Sequence, residues 1–105
     1  MAAYSLNLAS KAVTTAGTRV PLSATTQLCA WLSIQAAPGN VQDVFVGDVT
    51  VSSTRGYILK PVAPGQQPNS WTIAPGDALN LINLAEVYVD ASADGEGVNY
   101  LFIVR

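Results

Sequence analysis

The sequence predicts an all-β protein, a single antiparallel β-sandwich with a jelly-roll-like character, on three observations. Apolar residues recur with period two, most clearly in Q-L-C-A-W-L-S-I-Q, where Leu28, Ala30, Leu32 and Ile34 fall on one face and Cys29, Trp31, Ser33 and Gln35 on the other. Signals for chain reversal, built from Gly, Pro, Asn, Asp and Ser, return every 8 to 12 residues or so, the rhythm of a sandwich or small barrel. No stretch of a dozen residues carries apolar positions at i, i+3 and i+4, so helices are not expected.

Taken in order, the predicted strands are Tyr4 to Leu8, Ala12 to Thr15, 27–35, Asp43 to Val46, Val49 to Ser52, Tyr57 to Lys60, Ser70 to Ile73, Glu86 to Ala91 and Val98 to Val104. Each is rich in β-branched and aromatic residues, which fit a pleated, half-buried surface. Residues 78–85 (A-L-N-L-I-N-L-A) read either as a helical turn capped by Asp77 or as a strand followed by a tight bend. Ala-Pro-Gly occurs at Ala37 to Gly39, Ala63 to Gly65 and Ala74 to Gly76. Proline presets φ and glycine accepts φ > 0, so each copy is expected to form a type II turn. Their intervals of 26 and 11 residues are too unequal for a repeat architecture. Toward the end, Val87 and Val89 alternate with Tyr88 and Asp90, A-D-G-E-G reverses the chain, and Asn99 to Val104 returns, which predicts a closing β-hairpin with Asp94-Gly95 in its turn and Gly97 at a bulge or left-handed position. The run Tyr100 to Val104 is apolar on both faces, as expected of a strand inside a sheet or beneath a partner.

The totals bound the function. A chain of 105 residues builds one core. Residues 1–10 are expected to form an N-terminal arm or a first strand, and 11–105 the sandwich. Apolar residues make up 50%, but charged ones only 11%, well below the usual share of about a quarter. A surface of Ser, Thr, Asn, Gln and Ala is cheap to desolvate against another protein, which favours an assembly component. The net charge is −2, and the five bases Lys11, Arg19, Arg55, Lys60 and Arg105 are dispersed, so no nucleic-acid partner is expected. Apolar runs are far shorter than the roughly 20 residues of a spanning helix, so no membrane partner is expected either. The opening M-A-A-Y-S-L-N-L-A-S-K has no basic leader followed by an apolar run, and the single thiol of Cys29 can form no internal disulfide; synthesis in a cytoplasm is the expectation.

Chemistry is narrowed in the same way. With no histidine and one cysteine, Ser-His-Asp, Cys-His and histidine-metal sites are excluded. Cys29, beside Trp31 in a strand, is expected to be buried. Asp90, Asp94 and Glu96 lack the ligand spacing of a calcium loop and are expected at a solvated hairpin tip. Asp77, Glu86 and Asp90 are carboxylates that the sequence places opposite nothing. No catalytic residue, metal or cofactor is therefore expected, and the chain is not expected to be an enzyme. The aromatic residues Trp31, Trp71, Tyr4, Tyr57, Tyr88 and Tyr100 are expected in the core or at a subunit interface, with stacking on sugar rings as the alternative. The candidate interface residues are Tyr4, Leu6, Leu8, Trp31, Trp71 and Tyr57.

Residues 44–104 carry V-F-V-G-D-V-T-V-S-S-T-R-G-Y-I-L, then I-A-P-G-D-A-L-N-L, then E-V-Y-V-D-A-S-A-D-G-E-G-V-N-Y-L-F-I-V. This order resembles small virion proteins of tailed bacteriophages, in which a strand ending in V-G leads to V-S-S-x-x-G-x-x-L, a P-G-D or P-G-E turn and a closing V-Y-V…G…V-x-Y-L hairpin. The resemblance implies a non-enzymatic structural subunit of the particle. The first expectation is a head decoration or cement protein that binds the major capsid protein or another virion protein as a homotrimer on the lattice. The alternative is a tail, baseplate or fibre module that binds carbohydrate or a receptor.

Overall fold

The computed structural model describes residues 5–61, 70–73 and 81–104. Ten strands and one 3-10 turn occupy them: β1 (Ser5–Ala12), β2 (Val20–Pro21), β3 (Leu28–Cys29), β4 (Trp31–Ala36), β5 (Val44–Gly47), β6 (Tyr57–Leu59), β7 (Ser70–Ile73), β8 (Ile82–Asn83), the 3-10 turn Leu84–Glu86, β9 (Tyr88–Ala91) and β10 (Gly97–Val104). Their pairings nest. Ser5 lies opposite Val104, Val20 opposite Val89, Leu28 opposite Asn83, Leu32 opposite Ile73, Val44 opposite Leu59, and Ser52 opposite Arg55. The chain is thus one long antiparallel ribbon whose tip is the reversal at 52–55.

Rolling that ribbon brings β10 beside β4 and β5 beside β9, both antiparallel. The result is two four-stranded sheets, β1-β10-β4-β7 and β2-β9-β5-β6, with β3-β8 as a small separate ladder. Among consecutive strands of the two large sheets, only β5 and β6 share a sheet, and every other connection crosses between layers. This strand order is that of a jelly roll, so the predicted all-β sandwich is the fold observed.

The core forms where the inner faces meet. Leu32, Ile34 and Ala36 of β4 are buried together with Val98 and Tyr100 of β10, Val44 and Val46 of β5, Leu59 of β6 and Val89 and Ala91 of β9. Tyr100 stacks on Phe102 with ring centroids 5.7 Å apart. Its hydroxyl donates to the Leu22 carbonyl at 3.0 Å, which satisfies the one polar atom the ring carries inward. Burial pushes the Tyr100 phenol above its ordinary value. The neutral form is therefore favoured in the folded chain, and the stabilisation is complete below the unfolded-state pKa of about 10. Above it the unfolded chain loses its proton first, so stability falls as pH rises further. Tyr100→Phe is expected to lower stability by about 1 to 2 kcal/mol at neutral pH, because the buried Leu22 oxygen loses its donor, and to flatten part of the decline above pH 10. Urea denaturation of both proteins at pH 7 and 10.5 measures this.

Several local expectations are corrected. The run 27–35 is not one strand. A bend at Ala30 separates β3 from β4 and resets the alternation, so that Cys29 is 1% exposed and Leu28 faces outward. Residues 13–15 and 49–51 are loops, since Val13 leaves β1 and Val51 serves the reversal before β6. The short strand β2 was not expected from the pattern, whereas β8 followed by the 3-10 turn is the strand-and-tight-bend alternative for 78–85. The 3-10 turn is capped by Asn83, whose Oδ1 accepts from Ala85 N at 3.1 Å; Asp77 lies outside the described residues.

The closing hairpin is also corrected. β9 belongs to one sheet and β10 to the other, so A-D-G-E-G is an inter-sheet crossing and not a hairpin turn. Gly95 does take positive φ (84°), but among the described residues no non-glycine one does, Asp94 included, which rules out a type I′ turn. Gly97 has no positive φ; it is small because β1 lies against it, and a Cβ there would meet Lys11 O at 2.6 Å. At Ala37–Gly39 the Asn40 amide donates to Ala37 O at 3.1 Å while Gly39 avoids positive φ, so the turn is not type II. The other two Ala-Pro-Gly copies lie outside the described residues.

Of the three acids expected at a solvated tip, Asp94 is exposed as expected, while Asp90 and Glu96 are buried; all three pin neighbouring loops. Asp90 Oδ1 accepts from Gly17 N at 2.9 Å, Asp94 Oδ1 from Ala16 N at 2.8 Å, and Glu96 Oε2 from Val41 N at 3.0 Å. Asn40 acts as an extra strand partner, exchanging bonds with the Gly97 amide and carbonyl. These side chains tie the loops at 13–19 and 37–42 to the crossing between the sheets, and they supply charge-assisted partners to backbone amides that no strand satisfies.

Candidate interaction surface

Register decides which residues the first sheet turns outward. Because Leu32, Ile34 and Ala36 face the core with their partners Phe102, Tyr100 and Val98, the opposite face takes Trp31, Ser33 and Gln35 of β4 and Asn99, Leu101 and Ile103 of β10. On β1 the same face takes Leu6, Leu8 and Ser10, opposite Ile103, Leu101 and Asn99. Leu6 is 66% and Leu8 75% exposed. One end of this face is therefore an apolar band, Leu6-Ile103-Trp31 followed by Leu8-Leu101. The other end is neutral and polar: Ser33 and Thr72 hydroxyls lie 3.1 Å apart, with Gln35, Asn99 and Ser70 beside them. A shallow depression of about 200 Å³ runs between the two ends, lined by Leu8, Leu101, Ser33, Gln35, Asn99 and Ser70 among others.

The outer face of the second sheet differs. There the Gly17 amide reaches across to Asp90, and Phe45, paired with Asp90, is buried. Of the two sheets, the first presents the more open apolar face.

Three of the candidate interface residues, Leu6, Leu8 and Trp31, are thus brought together. Tyr57 and Trp71 are placed elsewhere. They stack at 5.0 Å, joining β6 of one sheet to β7 of the other along an edge of the sandwich. Trp71 pairs with Ile34 and packs on the core, whereas Tyr57 stays 60% exposed. Tyr4 lies outside the described residues. Leu101 and Ile103 complete the band; the double-sided apolar run at the end of β10 was their signal in the sequence.

The reversal at 48–56 makes a second concave region. Asp48 accepts from the Thr50 hydroxyl at 2.5 Å and from its amide at 2.8 Å, and Arg55 Nε donates to the same hydroxyl at 2.8 Å. The Thr50 hydroxyl first, then its amide, hold the Asp48 carboxyl below its usual range, with Arg55 adding attraction. A hollow of about 340 Å³ lies between Val46, Val51, Arg55, Gly56 and Tyr57. An adjoining one of about 380 Å³ holds Asp48, Glu86 and Tyr88. Of the three carboxylates considered for acid-base work, Glu86 lies here, Asp90 is committed to backbone amides, and Asp77 is outside the described residues. Among the described residues no cluster of three or more His, Cys, Asp or Glu could hold a metal ion. Cys29 is buried, which raises its thiol pKa, partly opposed by a backbone hydrogen bond from Trp31. No helix among the described residues is long and apolar enough to cross a membrane.

Fold and surface together define a single-layer-on-layer jelly-roll domain with one open, weakly charged face. Comparison with protein-family models, with curated protein sequences and with solved structures gave no match.

Proposed function

We infer that this chain is a non-enzymatic structural subunit of a virion, in first place a decoration or cement protein on the outside of a bacteriophage head. The observation that carries this reading is the outer face of the β1-β10-β4-β7 sheet, where Leu6, Leu8, Trp31, Leu101 and Ile103 form an apolar band beside a neutral polar area. A contiguous apolar band in which Leu6 and Leu8 stand exposed beside half-buried Trp31, Leu101 and Ile103 is the kind of patch that marks a contact surface. Its low charge suits attachment by desolvation, and many weak copies on a symmetric lattice gain occupancy by multivalency. The jelly-roll strand order is shared with viral capsid domains, which supports the reading by analogy of fold. The resemblance of residues 44–104 points the same way.

A tail or fibre module that binds carbohydrate is the second reading. Tyr57 favours it: its exposed ring lies at the rim of the 340 Å³ hollow beside Arg55, with Trp71 stacked behind it. Trp71→Ala would disturb the core, so Tyr57→Ala is the cleaner probe of sugar binding.

Electron microscopy of intact particles containing the chain, with mass spectrometry of their components, tests both. Density for the jelly roll on the head lattice supports the first reading, and density at the tail tip favours the second. Its absence from purified particles overturns both. Attachment through the apolar band is further expected to survive a rise from 50 to 200 mM salt, over which a binder of several phosphates would lose on the order of 10³-fold or more in affinity.

A further inference from the structure

The strand β1 ends its sheet, and the edge it leaves differs from both edges of the second sheet. β2 has two residues and contains Pro21, and β6 has three and is followed by Lys60. Short edges, proline and lysine are the usual means of preventing strand addition. β1 has none of them across its centre: it is eight residues long, S-L-N-L-A-S-K-A, with no proline and with its one charge, Lys11, near the end.

The direction of its backbone groups follows from the register. Val13 N donates to Glu96 O at 2.8 Å, one step beyond the Ala12–Gly97 pair. In an antiparallel ladder the hydrogen-bonded residues alternate, so the odd residues of β1 turn their N–H and C=O groups to β10. Leu6, Leu8, Ser10 and Ala12 turn theirs away. The same even residues carry the exposed leucines of the outer face. A strand laid on this edge would satisfy the open backbone groups and set its own side chains beside Leu6 and Leu8 on the outer face, covering part of each.

We propose that the occupant is β1 of a second copy of this chain, paired antiparallel across a two-fold axis at Leu8, so that two four-stranded sheets become one of eight strands. An antiparallel edge is complementary to itself under two-fold symmetry. Centring on Leu8 pairs Leu8 with Leu8, Leu6 with Ser10, Asn7 with Ala9 and Ser5 with Lys11. Side chains then keep their faces, the described strand is used from Ser5 to Lys11, and about six new backbone hydrogen bonds form. The two lysines fall at opposite ends and oppose no like charge. This inference stands on the edge geometry and holds whether or not the chain belongs to a virion.

Cysteine cross-linking of the purified full chain tests it. Directly opposed, hydrogen-bonded residues have Cα atoms about 5.5 Å apart, within the range a disulfide spans. Leu8→Cys is expected to oxidise to a covalent dimer. Leu6→Cys and Ser10→Cys should each fail to cross-link alone and succeed when mixed. Cys29 is buried and does not interfere. In sedimentation the parent should run as a dimer, and Leu8→Lys, checked for folding by far-UV circular dichroism, as a monomer; Ser10→Pro, which alters an outward-facing amide, should do the same. A parent that stays monomeric at its highest soluble concentration overturns the proposal. So does an oligomer, a trimer included, that survives both variants.

Discussion

Gly97→Ala is expected to destabilise the fold by roughly 2 to 3 kcal/mol, the cost of forcing atoms into a packed site. The added Cβ would lie 2.6 Å from Lys11 O and 3.0 Å from Ala12 Cα. Both are backbone atoms, so no rotamer change relieves the contact and β1 itself must move. Gly97 also exchanges bonds with Asn40 and accepts from Ala37 N, which hold it in place from the β4 side. Gly95→Ala provides the contrast. It has open space around its Cβ position but a φ of 84°, so only conformational strain of about 1 kcal/mol is expected. Urea denaturation ranks the two. If Gly97→Ala unfolds at the parent's midpoint, β1 does not approach β10 as closely as described.

Leu32→Ala should cost about 2 to 5 kcal/mol, whereas Leu8→Ala should stay within about 0.5 kcal/mol when measured at dilutions where copies do not associate. The two leucines occupy opposite faces of the same sheet. Leu32 is fully buried and its truncation leaves a cavity among Ile34, Val98 and their neighbours; Leu8 is 75% exposed and has little to lose in the single chain. Equal losses for the pair would mean that the outer face is packed within the monomer, and the contact surface assigned to it would have to be withdrawn.

Local pattern made much of the fold legible. Alternation identified β1, β4 and β7, which bury one face, a period-two property of neighbouring residues; β5, β6, β9 and β10 were marked by short apolar, β-branched or aromatic runs between turn residues, since β5 and most of β9 are buried on both faces. What the pattern could not reveal was partnership. Asp94-Gly95 between two apolar runs is a strong hairpin signal, yet Tyr88–Ala91 and Gly97–Val104 enter different sheets, a choice made by contacts with β5 and β4 far away in sequence. The bend at Ala30 was hidden for a similar reason, since Ala30 N donates to Ile103 O and the irregularity arises from that distant strand. Gly97 was read for its φ, whereas its role is the approach of Lys11. At the surface, the six candidate interface residues carry no mark in the sequence of which share a face: Leu6, Leu8 and Trp31 fall on one sheet face, and Tyr57 and Trp71 are separated from them only because β6 and β7 lie along another edge.

The nested pairing that makes the roll also sets how the domain meets mechanical load. Ser5 and Val104 are opposite one another at the open end of the ribbon, in the outermost ladder. Tension applied between them pulls β1 and β10 apart sideways, so their hydrogen bonds are loaded one after another from that end, as in a zipper, and never in parallel along the strand axes. A subunit held at both ends would open at low force. The same domain gripped through the broad face of its β1-β10-β4-β7 sheet would spread a comparable force over several strands at once, so its resistance to load depends on where it is held.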